Sequence, residues 1–349
     1  MIVAHHYVVN SGLTSVDGPI FQNPGSANSI YLLLFGAWGK TSINCFLMIT
    51  GYYMCTNQIT IRKFIKLLLQ IYFYKLLLFP IFLLTGYESL SLARIVKLLM
   101  PLWGLNNGFV GCYLIFYLTI PFWNILIKNM TSQQHLLLMG LLIACYTLLG
   151  SVPSFNVTFN YVSWFGIIYL TASYIRLYPV KLFKRRSVWG WLTFASVILA
   201  IGSVVVLNCL IGFRKSISHI YFFLLDSNKI FAFTVAVFSF LWFKNMNIRY
   251  SKVINAFGAS TFGVLLIHAN SDAMRSWLWN DYVNCVSHYS LPLGQTILYS
   301  SFVVVSIFVA CNLIDQLRIA TVEKVFFHWY DTKLSSKIDG YISTLTIKG

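Results

Sequence analysis

Apolar residues run in long blocks along this 349-residue chain, and the polar residues collect between them. The blocks fall at 1–10, 30–54, 64–86, 109–127, 136–150, 159–177, 188–212, 229–243, 254–270 and 296–314. A helix needs about 20 apolar residues to cross a bilayer, and a backbone in lipid must satisfy its own hydrogen bonds. The pattern therefore predicts an all-α polytopic membrane protein, with about ten transmembrane helices in one bundle. The first block is too short to cross alone, so it reads as the outer end of a helix whose start lies upstream of Met1. Residues 87–108 are too polar at their start to span, and predict an outer loop with an interfacial helix ending at Pro101–Trp103. Two regions follow, a transmembrane domain over 1–315 and a basic tail over 316–349 expected to rest on anionic lipid.

Composition agrees with the pattern. Hydrophobic residues make up 58% of the chain and charged residues 10%, with a mean hydropathy of +0.72. A soluble domain carries about a quarter charged residues, so a single soluble core is excluded. The net charge of +16 could suggest a nucleic-acid partner, but its distribution does not. Of the 25 Lys and Arg residues, 17 fall in loops on one side of the predicted membrane and 6 on the other, with Lys40 and Lys75 inside spans. That bias signals topology, places both termini in the cytoplasm and gives no role to nucleic acid. The seven cysteines are odd in number, lack a CxxC pair and sit mostly in apolar blocks, so they read as packing residues and not as a metal site.

An ionisable group inside a membrane helix is costly and marks a candidate functional site. His5 and His6 stand near the outer end of the first block, where a histidine can serve as a general base or simply pair with nearby polar groups. His268 ends another block at the same level, and Asp272, four residues on, shares a helical face that would let it orient the ring. Lys40 interrupts the second block, with Thr41, Ser42 and Asn44 beside it. Such a polar stripe either lines a cavity or joins helices. Arg62, Lys63 and Lys66 follow that block; fixed positive charge there could hold a phosphorylated donor or merely signal topology. No Walker, GxSxG, HExxH or dinucleotide motif occurs.

Several stretches in order carry a resemblance. They are Ala4–Tyr7, FLMITGYYM at 46–54, Gly111–Tyr117 with Pro121–Asn124, Ile168–Arg176, Ser260–His268 and Ile314–Arg318. Together they resemble the acyltransferase 3 family of bacterial inner-membrane proteins, in the branch that serves O-antigen and exopolysaccharide synthesis. The resemblance implies transfer of an acyl group, most often acetyl, from acyl-CoA to a hydroxyl of a polysaccharide or its lipid-linked precursor, without a metal. The family's functional histidine closes the first helix, which matches His6 or His5. Its donor-binding basic cluster maps onto Arg62, Lys63 and Lys66, although many members carry Arg-x-x-Arg where this chain has Arg62-x-x-x-Lys66. The family's upstream Arg in the first helix has no counterpart after Met1. Lys40, Asn44, Tyr113, His268 and Asp272 are left as acceptor-side or structural polar positions. The rival expectation is a transporter or flippase of a glycan intermediate that performs no covalent chemistry.

Overall fold

The computed structural model describes residues 1–57, 59–100, 108–155, 157–211 and 216–334. Among them every regular element is a helix. The first half supplies α1 (Ile2–Val9), α2 (Ala27–Gly36), α3 (Gly39–Met54), α4 (Ile61–Leu84), α5 (Leu92–Leu99), α6 (Phe109–Asn129) and α7 (Ser132–Ile143). The second supplies α8 (Tyr161–Leu177), α9 (Arg186–Ile211), α10 (Ile230–Lys244), α11 (Lys252–Ala259), α12 (Thr261–His268), α13 (Leu293–Arg318) and α14 (Lys324–Lys333). Each apolar block of the sequence coincides with one helix or with two in succession.

Among the described residues, six segments are long and apolar enough to cross a membrane: Ala27–Met54, Ile61–Leu84, Phe109–Asn129, Ser132–Ser151, Arg186–Leu210 and Leu293–Lys333. The other four expected spans are the shorter α1, α8, α10 and the α11–α12 pair. The reason for the shortness is clearest in α8, where every residue from Trp164 to Ile175 is buried. A helix enclosed by protein need not match the thickness of lipid. Around it α3, α6 and α7 pack closely, and small residues permit this. Gly51 of α3 lies against Ala172 and Tyr169, and Gly166 of α8 against the Trp123 ring. The apolar surplus lies on the outside, where Phe122 is 71% exposed and Phe302 72%. Water would penalise such a surface at roughly 25 cal/mol per Å², and hydrocarbon does not. The chain is a membrane protein.

Two expected spans are broken, and the breaks position the site. The second bends at Ala37–Trp38, between Gly36 and Gly39, so Lys40 stands in the first turn of α3 and not in mid-helix. The ninth breaks at Ser260, between α11 and α12. At the other expected boundary there is no break: α13 runs past Asp315 to Arg318 and continues through a wide turn into α14. The helix expected after residue 87 is α5, capped by Ser91 accepting from the Arg94 amide at 3.3 Å. Its expected end at Pro101–Trp103, the loop pair Arg214–Lys215, and Lys337 and Lys348 of the tail lie outside the described residues.

Candidate active site

Helix α1 packs against α2, α3, α12 and α13, which brings both of its histidines inward. His5 donates from Nδ1 to the Gly36 carbonyl at 2.6 Å. Its ring lies so close to Gly39 that a Cβ there would collide with it. His6 reaches across the bundle, its Nδ1 2.9 Å from Nε2 of His268. The Nδ1 of His268 is in turn 2.5 Å from the Val264 carbonyl. A carbonyl only accepts, so His268 must carry its proton on Nδ1. With both rings neutral, His268 Nε2 is then an acceptor and His6 must donate from Nδ1. The one lone pair left on His6 is at Nε2. The relay thus selects a single tautomer and keeps His6 ready to take a proton.

This geometry corrects one expectation. Asp272 does not orient His268, because α12 stops at His268 and a new short helix begins at Asp272 under a Ser271 cap. The Asp272 carboxylate is 86% exposed and pairs instead with Arg275 at 2.8 Å. A backbone carbonyl one turn back does the orienting.

His5 and His6 line a cavity of about 940 Å³ that extends along α3 from Gly39 to Ile49, about 15 Å at 1.5 Å per residue. Five cations line it (Lys40, Lys75, Arg94, Lys97 and Arg275) against two carboxylates, Glu88 and Asp272. The carboxylates are taken by Arg94, at 2.6 Å, and by Arg275. Lys40 donates to the Tyr161 hydroxyl at 2.7 Å. Among the described residues, Lys75 and Lys97 have no acidic partner, so the wall presents uncompensated positive charge to whatever enters. Tyr113 stands behind this wall, buried against Phe46 and Phe262, two rings that line the cavity.

Asn44 proves to be interhelical glue. Its amide donates to the Ser227 and Ala232 carbonyls at 2.7 and 3.0 Å, and its oxygen accepts from Trp164 Nε1 at 2.9 Å. One residue thereby ties α3 to α8 and α10. Asn44→Leu is expected to cost about 2–3 kcal/mol, since three bonds at roughly 0.6–1.7 kcal/mol each are lost and partly offset by apolar packing. A thermal unfolding curve in detergent checks this, and an unchanged midpoint would contradict it.

The basic cluster lies at the far end of α3 from the histidines, where α4 begins under a Thr60 cap. The structure does not leave it bare. Arg62 makes a two-pronged contact with Asp331 of α14, both bonds at 3.1 Å, and lies over the Phe327 ring. Lys66 pairs with Glu323 at 2.6 Å. Lys63 sits between them. The described part of the tail therefore docks on the start of α4, bringing acids to a cluster that the sequence presents as purely cationic.

The acyltransferase domain of the acyltransferase 3 family matches residues 1–314, nine-tenths of the chain. The chain belongs to the acyltransferase 3 family. No curated protein and no solved structure matches it.

In this acyltransferase, a buried ionic chain supports the site and was not foreseen. Asp315 accepts from Tyr74 at 2.8 Å, from Gln70 at 3.2 Å and from Arg318 at 2.8 Å. Arg318 also donates to Glu323 at 2.9 Å, and Glu323 holds Lys66. The Asp315 carboxylate fills the space beside Gly263, where a Cβ would strike it. Gly263 lies in α12, five residues before His268. The network thus joins the basic cluster at one end to the helix that carries the relay at the other. An acid and a base three residues apart at the end of an apolar run were its only sign in the sequence.

Proposed function

We propose that this membrane acyltransferase moves an acetyl group from acetyl-CoA to a hydroxyl of a cell-surface polysaccharide, or of its lipid-linked precursor, in a bacterial inner membrane with both termini cytoplasmic. The observation that carries the reading is the His6–His268–Val264 relay opening onto a cavity of about 940 Å³. A sugar hydroxyl is a weak nucleophile at neutral pH. His6 Nε2 removes its proton as the oxygen attacks the thioester carbonyl carbon, so the C–O bond forms while the C–S bond breaks. The proton then passes from His6 to the departing thiolate, which leaves as CoA-SH. Positive charge that develops on the His6 ring is shared with His268 through the 2.9 Å contact.

Arg62, Lys63 and Lys66 hold the phosphates of acetyl-CoA in this reading. The donor then displaces Asp331 from Arg62, an exposed pair that costs little to break. The cavity along α3 admits the extended arm that carries the thioester toward His6, and Lys75 and Lys97 give it a field that favours anionic substrates.

Membranes containing the protein, given labelled acetyl-CoA and de-O-acetylated polysaccharide, should place alkali-labile label in the polymer. Membranes without it should not. Absence of label from the polymer and from lipid-linked sugar would sink the reading. Glycan stranded on the inner leaflet of cells lacking the protein would point to a flippase instead.

A further inference from the structure

The five cations that line the histidine cavity are not alike. Arg94 and Arg275 are spent on Glu88 and Asp272. Lys75 and Lys97 belong to α4 and α5. Lys40 stands in the first turn of α3, one residue from Gly39, on which the His5 ring rests. Its charge acts on both the His5 and the His6 rings. Among the described residues it has no acidic partner. A lysine in a first turn adds to the positive end of the helix dipole, and α3 starts without a side-chain cap to offset it. Positive charge is thus concentrated beside the histidines at an electrostatic cost, in a membrane where unpaired charge is expensive.

The ammonium is also held in place. Its Nζ donates to the Tyr161 hydroxyl at 2.7 Å and lies 5.4 Å from the centre of the Tyr161 ring. Tyr161 begins α8 and is buried, its ring packed on Phe159 and Phe165. An ammonium has three N–H donors and Tyr161 takes one, so two remain for a ligand in the cavity. In the proposed scheme that ligand is not a phosphate of the donor. The phosphates bind beyond the far end of α3, whose 16 residues span about 24 Å. What arrives at this end is the thioester. As the sugar oxygen attacks, negative charge develops on the thioester carbonyl oxygen. His6 is occupied with the proton of the sugar and offers nothing to that charge. Lys40 does.

We infer that Lys40 is a second catalytic residue, whose free N–H groups meet the oxyanion developing on the thioester carbonyl, and that Tyr161 positions it. This rests on the proposed acetyl transfer. Fixed donors aimed at charge that exists only in the transition state raise kcat and leave substrate binding nearly unchanged. Lys40 transfers no proton: it stays charged while the C–O bond forms, and the carbonyl is restored as the C–S bond breaks. The test assays the full-length protein in detergent with labelled acetyl-CoA and de-O-acetylated polysaccharide. Lys40→Met should lower kcat by roughly 10²–10³-fold, the effect of losing one such donor, with the KM of either substrate little changed. Tyr161→Phe leaves the ammonium charged but unanchored, and should lower kcat by less, again with KM little changed. Lys40→Ala should regain part of its rate when ethylammonium is added, which also shows that the variant is folded. Tetramethylammonium, which has no N–H, should not restore it. If Lys40→Met raises the KM for acetyl-CoA and keeps kcat, the lysine holds an anion of the bound substrate and the inference is wrong. Equal rescue by both amines overturns it as well, while the activity stands. If wild-type protein transfers no label, the acetyl-transfer reading fails and this role with it.

Discussion

His6→Ala is expected to lower acetyl transfer by roughly 10²–10⁴-fold, the contribution of a positioned general base, with little effect on folding. The ring stands at the cavity wall and its single protein bond goes to His268. Variants at the neighbouring rings separate the roles. His5→Ala should cost less, because His5 is tied to Gly36 in a contact that shapes the break between α2 and α3. His268 does not face the acceptor in this scheme but fixes the tautomer of His6, so it is a positioning residue. His268→Leu removes the acceptor for His6 Nδ1 and should lower kcat with KM little changed. His268→Gln keeps an oxygen able to accept that proton and should recover part of the loss. Labelled acetyl-CoA assays on purified variants give the answer. Wild-type rates in His6→Ala would rule out the base, and equal losses in His268→Leu and His268→Gln would rule out the relay.

Much of this was legible in the sequence, for a physical reason. Lipid demands long apolar helices, so the blocks mark the helices almost residue by residue, as α4, α6 and α13 do. The same demand makes isolated polar groups stand out, which is why His5, His6, His268, Lys40 and Asn44 could be singled out one by one. Pairings between distant segments were not legible. Nothing local says that His6 faces His268, 262 positions away. The i,i+4 rule offered Asp272 to His268, but it holds only while a helix continues, and α12 ends at His268 itself. Lys40 was misplaced for a similar reason: an apolar run hides a bend when the residues at the bend, Gly36-Ala-Trp-Gly39, are themselves apolar or small. The tail misled through its net charge. Its lysines and arginines outnumber its acids, yet Glu323 and Asp331 decide where it docks.

Those acids lead to the second large effect, in the chain Asp315–Arg318–Glu323. The Arg318 and Asp315 side chains are 1% and 0% exposed, and Glu323 is 10% exposed. Removing one member of a buried ion pair strands the other without solvent, at a cost of about 3–5 kcal/mol. Arg318→Ala leaves Asp315 without a cation and Glu323 with Lys66 alone, and is expected to destabilise the protein by about that amount. Lys66→Ala breaks a half-exposed pair in the same chain and should cost about 0–1 kcal/mol. Neutralising both partners restores balance, so Asp315→Asn with Arg318→Gln should melt well above Arg318→Ala. Detergent unfolding curves order the three variants, and a midpoint for Arg318→Ala close to that of Lys66→Ala would show that the burial carries no such penalty. The effect should also reach the relay. Asp315 packs on Gly263, and α12 runs from there to His268. The double variant, once folded, should therefore keep its thermal midpoint better than its kcat, because the shape of the Asn side chain is retained while the charge that pins α4 to α13 is gone. Equal recovery of stability and rate would mean that the ionic chain only holds the bundle together and does not place the histidine.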